Sequence, residues 1–178
     1  MFGVSVAPNA GMSGRPPRLK EFDYRGQLRY FLTICVNQRA PVFDDETIAR
    51  HVIQQFLRTA GAEKFEVLAY CAMPDHFHAL AIGLADDSDL IRFVTAFKKC
   101  TGYWWKQSGH PRPLWQRGYH DRILREDDLN DAVIRYILLN PVRANLVSDP
   151  REYRFLVATK YDVATLLESS FLWTPPWK

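Results

Sequence analysis

Hydrophobic and polar positions succeed one another along the chain in short, well-marked periods. Arg29 to Val36 (Arg-Tyr-Phe-Leu-Thr-Ile-Cys-Val) is dense in β-formers and predicts a first strand, left through Asn37-Gln38-Arg39. From Asp45 to Thr59, Ile48, Val52, Ile53, Phe56 and Leu57 recur at helical spacing, and Gly61 is placed to end that helix. Phe65 to Met73 predicts a second strand, Pro74-Asp75 a tight turn, and His76 to Ile82 a third strand antiparallel to the second. Pro74 cannot donate to a sheet ladder, so it marks a strand entry. After the polar loop Leu84 to Asp87, Ser88 is a candidate N-cap for a helix with one face of Leu90, Phe93, Val94, Phe97, Thr101 and Trp104. Ser108 to Pro113 breaks that helix, and Tyr119 to Leu124 predicts a fourth, short strand. Asp127 or Asp128 caps a third helix with the core stripe Leu129, Val133 and Ile137; it reaches Asn140, where Pro141 stops or kinks it. Beyond Pro150 one further helix is expected near Asp162 to Glu168, and no role is assigned to the closing Trp173-Thr174-Pro175-Pro176-Trp177.

The order β-α-β-β-α-β followed by a helix predicts an α+β chain on the split βαβ, ferredoxin-like plan: one antiparallel sheet with helices on one face. The other face is then expected to stay free for a ligand. Residues 1–17 read as a flexible Gly/Ser/Ala/Pro tail, 18–155 as one domain and 156–178 as a C-terminal extension. At 47% hydrophobic and 24% charged the chain can bury a core. No apolar run approaches the roughly 20 residues that span a bilayer, and the N-terminus lacks the pattern of a signal peptide. Cys35, Cys71 and Cys100 are odd in number and in apolar contexts, which predicts reduced core residues in a cytoplasmic protein rather than a disulfide framework.

Net charge, +3, says little; its distribution says more. Arg92 to Arg125 holds eight basic residues (Arg92, Lys98, Lys99, Lys106, Arg112, Arg117, Arg122, Arg125) and one acid, Asp121. Phe93, Phe97, Tyr103, Trp104, Trp105, Trp115 and Tyr119 are interleaved with them. Cations that track phosphates beside rings that stack on unpaired bases suit single-stranded nucleic acid. The competing reading makes the rings core and the charges a solvated face. Helical spacing favours that reading for Phe93, Phe97 and Trp104; for Arg112, Trp115, Arg117 and Arg122 both stand.

The densest chemistry lies in His76-Phe77-His78. In a strand, residues i and i+2 share a face, so two imidazoles aim at one point while Phe77 turns away. Imidazole is a common ligand of divalent metals; two histidines on a solvated face is the plainer alternative. In the third helix, Tyr136 and Asn140 lie one turn apart, where side chains are neighbours. That pair is either a phenol beside an amide at a site, or core packing followed by an Asn-Pro helix stop.

Taken together, Met73-Pro74-Asp75-His76-Phe77-His78, then Leu114-Trp115-Gln116-Arg117-Gly118-Tyr119-His120-Asp121-Arg122, then Tyr136-Ile137-Leu138-Leu139-Asn140-Pro141-Val142-Arg143-Ala144, resemble the REP-associated tyrosine transposases, single-tyrosine HUH transposases of the IS200-like type. Tyr30-Phe31-Leu32-Thr33 with Arg39 is similar to that family's first strand and following loop. The resemblance spans roughly residues 18 to 155, in order. Asp75 stands where the family often has Asn, and Phe77 where Val is common.

The resemblance implies the HUH endonuclease fold, a variant of the ferredoxin-like plan with an extra tyrosine-bearing helix. It implies His76, His78 and Asn140 as ligands of a divalent metal, Mg²⁺ or Mn²⁺, and Tyr136 as nucleophile. The expected reaction is metal-dependent nicking and joining of single-stranded or hairpin DNA of the REP type through a 5′-phosphotyrosine. Arg39, Lys98, Lys99, Trp115, Arg117, Arg122 and Arg143 are the candidate DNA contacts. The expected protein is cytoplasmic and nucleoid-associated, a monomer or homodimer with no membrane partner. Two other classes remain open: a DNA-binding module that no longer cuts, and an unrelated His-ligated metallohydrolase in which Tyr136 is packing.

Overall fold

A computed structural model of the chain describes residues 22–125 and 130–168. The expected caps Asp127 and Asp128, the stripe residue Leu129, the tail 1–17 and Trp173 to Trp177 lie outside the described residues.

The succession of elements follows the hydrophobic pattern closely. Strand β1 covers Arg29–Cys35, helix α1 Glu46–Ala62, strands β2 and β3 Phe65–Met73 and His76–Gly83, and helix α2 Leu90–Gln107. Strand β4 covers His120–Leu124, helix α3 Asn130–Leu138, the single turn α4 Asn140–Arg143, strand β5 Leu156–Ala158 and helix α5 Val163–Glu168. The sheet order is β4-β1-β3-β2-β5, with every neighbouring pair antiparallel. Strands β1 and β2 therefore run parallel with β3 between them, which is the split βαβ arrangement.

Alternation along the strands sorts the side chains onto two faces. Tyr30, Leu32, Ile34, Phe77, Ala79 and Ala81 meet Val52, Phe56, Phe93 and Phe97 of α1 and α2. Phe31, Leu80, Cys71 and Leu124 meet Val133, Ile134, Tyr136 and Ile137 of α3. The second face is thus not free for a ligand over its whole extent, as the pattern suggested: α3, with Leu166 of α5, covers it. The adjacent Leu68 and Ala69, then Cys71 and Met73, reach that same face because a register shift between Val67 and Ala69 reverses the phase of β2. Strand β5, not anticipated, pairs with β2 beside this bulge, and Thr159 closes it by donating its backbone N–H to the Leu68 carbonyl at 2.7 Å and its hydroxyl to that of Val67 at 2.8 Å.

Several local expectations are corrected. Asp89, not Ser88, caps α2, its carboxylate accepting the Arg92 N–H at 3.0 Å; the buried Ser88 hydroxyl instead donates to the Lys64 carbonyl at 2.8 Å. Gly61 does not end α1: the helix runs to Ala62 and the chain turns at Lys64, φ +60°. On α2 it is Trp105 that is buried, its indole N–H donating to the Arg112 carbonyl at 2.9 Å, while Trp104 stays half-buried and stacks on His51. Cys35 and Cys71 are buried free thiols as expected, but Cys100 is exposed, with its S–H 3.3 Å from Gln55 Oε1.

Candidate active site

The period of β3 puts His76 and His78 on the α3 face, and sheet register supplies their surroundings. Thr33 of β1 stands opposite His78, and Cys35 opposite His76. The two Nε2 atoms are 3.0 Å apart. Each ring is held from its other nitrogen. His76 Nδ1–H donates to Asp75 Oδ1 at 2.5 Å, and His78 Nδ1 lies 2.8 Å from the Thr33 hydroxyl, which can serve it as donor or acceptor. Orientation of each imidazole by a second partner is what metal-binding histidines require. Burial raises the Asp75 carboxyl, but the hydrogen bond from His76 and the charges of His76 and Arg39 outweigh it, leaving Asp75 below the usual carboxylate range.

Tyr136 comes down on this pair from α3. Its ring meets that of His78 edge-on at 6.0 Å between centroids, and that of Phe31 at 5.7 Å; Phe31 in turn stacks on His78 at 5.3 Å. Tyr136 and His78 are 4% and 3% exposed, so the junction is nearly dry. Helix α3 stops at Leu138 because Pro141 has no N–H to give and its ring cannot continue the turn. Residues of the next turn fold back instead: Asn140 Nδ2 donates to the Tyr136 carbonyl at 2.9 Å, and the Arg143 guanidinium donates to the same oxygen at 2.6 Å. With Nδ2 committed, Oδ1 is the atom Asn140 has left for a ligand. The structure brings His76, His78 and Tyr136 together directly, and joins Asn140 to them through the Tyr136 main chain.

The donor set suits a cation. Two nitrogens bound at right angles, each ~2.1 Å from an octahedral ion, stand ~3.0 Å apart. Among the described residues no group of three or more His, Cys, Asp or Glu could hold a metal ion.

The expected DNA contacts divide. Lys99 and Arg117 are exposed. Arg39 is exposed too, and pairs with Asp75 at 3.3 Å. Arg122 is half-buried on the His78 face, opposite Phe31 in the register. Trp115 is not available to stack on a base: it is 7% exposed, lies against Phe43 and Phe97, and donates its indole N–H to the Thr101 hydroxyl at 2.8 Å. Lys98 is likewise turned inward, its ammonium on the carbonyls of Gln116 at 2.7 Å and Gly118 at 2.6 Å. Arg143 lies with its guanidinium carbon 4.2 Å from the Tyr136 ring centre. Two residues of this face escaped the sequence reading. Thr33 and His120 stand opposite one another across β1 and β4, and only strand register reveals them. Burial, then the charge of Arg39, pushes the His120 imidazole down.

Residues 25–139 match the family model described as transposase, IS200 like. A Haemophilus influenzae protein assigned by name to the REP-associated tyrosine transposases is 26% identical over 140 residues, 71% of this chain and 77% of that one. A solved structure of a REP-associated tyrosine transposase bound to a REP hairpin superposes with a TM-score of 0.62 at 20% identity, over 79% of this chain and 81% of that one, which shows a common fold. No helix among the described residues is long and apolar enough to cross a membrane. By the span of that family match, and with the fold it predicts in place, the chain belongs to the IS200-like transposase family.

Proposed function

We propose that this protein nicks and rejoins single-stranded DNA at REP-type hairpins through a 5′-phosphotyrosine. One observation carries the reading: in a chain of this family, the one tyrosine of α3 lies against the paired histidines of β3, all from a single chain.

Tyr136 Oη attacks phosphorus; the P–O(Tyr) bond forms as the P–O3′ bond breaks. The phenolic proton is released and the departing 3′-oxygen takes one up, leaving a free 3′-hydroxyl. The linkage keeps the energy of the phosphodiester, so the 3′-hydroxyl can reverse the step and join strands without ATP. His76, His78 and Asn140 would hold a divalent cation, Mg²⁺ or, better matched to imidazole, Mn²⁺, which when bound supplies charge neutralisation at the scissile phosphate. Asp75 and Thr33 orient the two imidazoles. Arg122, on the same sheet face, and the exposed Arg39, Lys99 and Arg117 are the cations offered to the DNA backbone. The REP hairpin as substrate is supported by the solved relative, which carries one.

The test is incubation of wild type and Tyr136→Phe with hairpin-bearing single strands in Mn²⁺, followed by denaturing electrophoresis. Wild type is expected to give a covalent protein–DNA band and a free 3′-hydroxyl fragment, and the variant neither. An adduct formed by the variant would overturn the assignment of Tyr136; no adduct in wild type would favour a binding module.

A further inference from the structure

We propose that Arg143 is a positioning residue for the nucleophile, locking both the ring and the main chain of Tyr136 against the histidine pair. The inference rests on Tyr136 being that nucleophile. Its physical origin is the helix break. Pro141 ends α3 just past Tyr136, and the final carbonyls of a helix have no intrahelical donor. The Arg143 guanidinium, together with the Asn140 amide, makes good the loss. One N–H group of the guanidinium goes to the Tyr136 carbonyl at 2.6 Å, while its central carbon lies over the Tyr136 ring, 4.2 Å from the ring centre.

The two contacts fix different freedoms: the carbonyl bond fixes the helix end, and the cation over the ring restrains ring rotation. Phe31 and His78 approach the ring edge-on. Because Asn140 Nδ2 shares the same carbonyl, Arg143 and Asn140 hold one acceptor between them, and the amide oxygen of Asn140 is oriented by the same arrangement. A lysine can keep a charge over the ring, but has no planar fork to reach ring and carbonyl together. Arg143 belongs among the cations first expected to touch DNA; these contacts commit it to the tyrosine instead.

Wild type, Arg143→Gln and Arg143→Lys are compared on a hairpin-bearing single-stranded oligonucleotide in three readings. These are DNA affinity against salt, single-turnover adduct rate at saturating DNA, and the ring ¹H–¹³C resonances of Tyr136, assigned by their loss in Tyr136→Phe. In Arg143→Gln, affinity and its salt slope are expected to hold while the adduct rate falls by roughly 10²-fold, the scale of a misplaced reacting group. The Tyr136 resonances shift, and Arg143→Lys recovers part of the rate. A salt slope reduced by about 1 with an unchanged rate at saturation marks a phosphate contact and overturns the proposal. Unmoved Tyr136 resonances overturn it as well. A wild type that forms no adduct defeats the phosphotyrosine reading alone, since the ring resonances still report whether Arg143 holds Tyr136.

Discussion

The Thr33 hydroxyl stands 2.8 Å from His78 Nδ1, donated from a neighbouring strand 45 residues away in sequence. Both residues are buried, at 5% and 3% exposure, so the contact is sheltered from water. It leaves Nε2 of His78 to face Nε2 of His76. Thr33→Val keeps the shape and removes the partner. The expected outcome, read by calorimetric titration with Mn²⁺, is metal affinity lower by about 10–100-fold. Thr33→Ser is expected to restore it; equal affinity in all three proteins would remove Thr33 from the site.

Two other histidines are expected to set an acid limit to stability. Burial depresses His51, which stacks on Trp104 at 3.8 Å, and burial with the Arg39 charge depresses His120. Among the described residues His51 Nε2 finds no hydrogen-bond partner. A histidine whose folded pKa lies below its unfolded value of ~6.5 is protonated more readily in the unfolded chain. Stability therefore rises with pH up to ~6.5 and levels off above it. Urea midpoints measured from pH 5 to pH 8 are expected to show this bend, and His51→Phe, which keeps the stack, to flatten it in part. A midpoint that falls as pH rises through this range would contradict the partial burial of both rings.

The fold was legible wherever the pattern is local. The period-2 run from His76 and the 3.6-residue stripe of Ile48, Val52 and Phe56 are written in single segments, and β2, β3 and α1 lie where those periods place them. Strand β5 is three residues long and exists because β2 offers it an edge beside the bulge at Leu68, which no alternation in 156–158 announces. The site divides in the same way. That the two histidines share a face follows from their spacing, and so did the neighbourhood of Tyr136 and Asn140. That Thr33 and His120 join them depends on which strands pair and in what register, a long-range choice settled by packing. Trp115 misled for a related reason: its setting among cations is local, whereas its burial against Phe43 and Phe97 is tertiary.

Trp115 yields a prediction in which core and DNA-stacking roles part company. Trp115→Ala removes a buried ring and leaves the Thr101 hydroxyl without the indole N–H it accepts, at a cost of about 3–5 kcal/mol in urea unfolding. Trp115→Phe retains most of the packing and is expected to bind hairpin DNA with wild-type affinity. A base-stacking ring would instead lose about 1–3 kcal/mol of affinity on removal while sparing stability. That outcome in Trp115→Ala would return Trp115 to the DNA interface.

Phe77 ties the stability of the sheet to the histidine pair that flanks it. Its ring is fully buried on the face covered by α1 and α2, 4.7 Å from Phe56, 5.9 Å from Tyr70 and 6.3 Å from Phe97, while its backbone carries His76 and His78 toward α3. Truncation to alanine opens a cavity under the one strand segment whose orientation sets the 3.0 Å spacing of the two Nε2 atoms. Phe77→Ala is expected to lose about 3–5 kcal/mol, seen as a lower urea midpoint with an unchanged slope. Mn²⁺ affinity is expected to fall with it, because the backbone relaxes into the cavity and both imidazoles move with that backbone. Phe77→Leu fills most of the space and should lose less of both. If Phe77→Ala loses stability but binds Mn²⁺ as wild type does, then Asp75 and Thr33 alone hold the imidazoles, and the hydrophobic face of β3 contributes to the fold without contributing to the site.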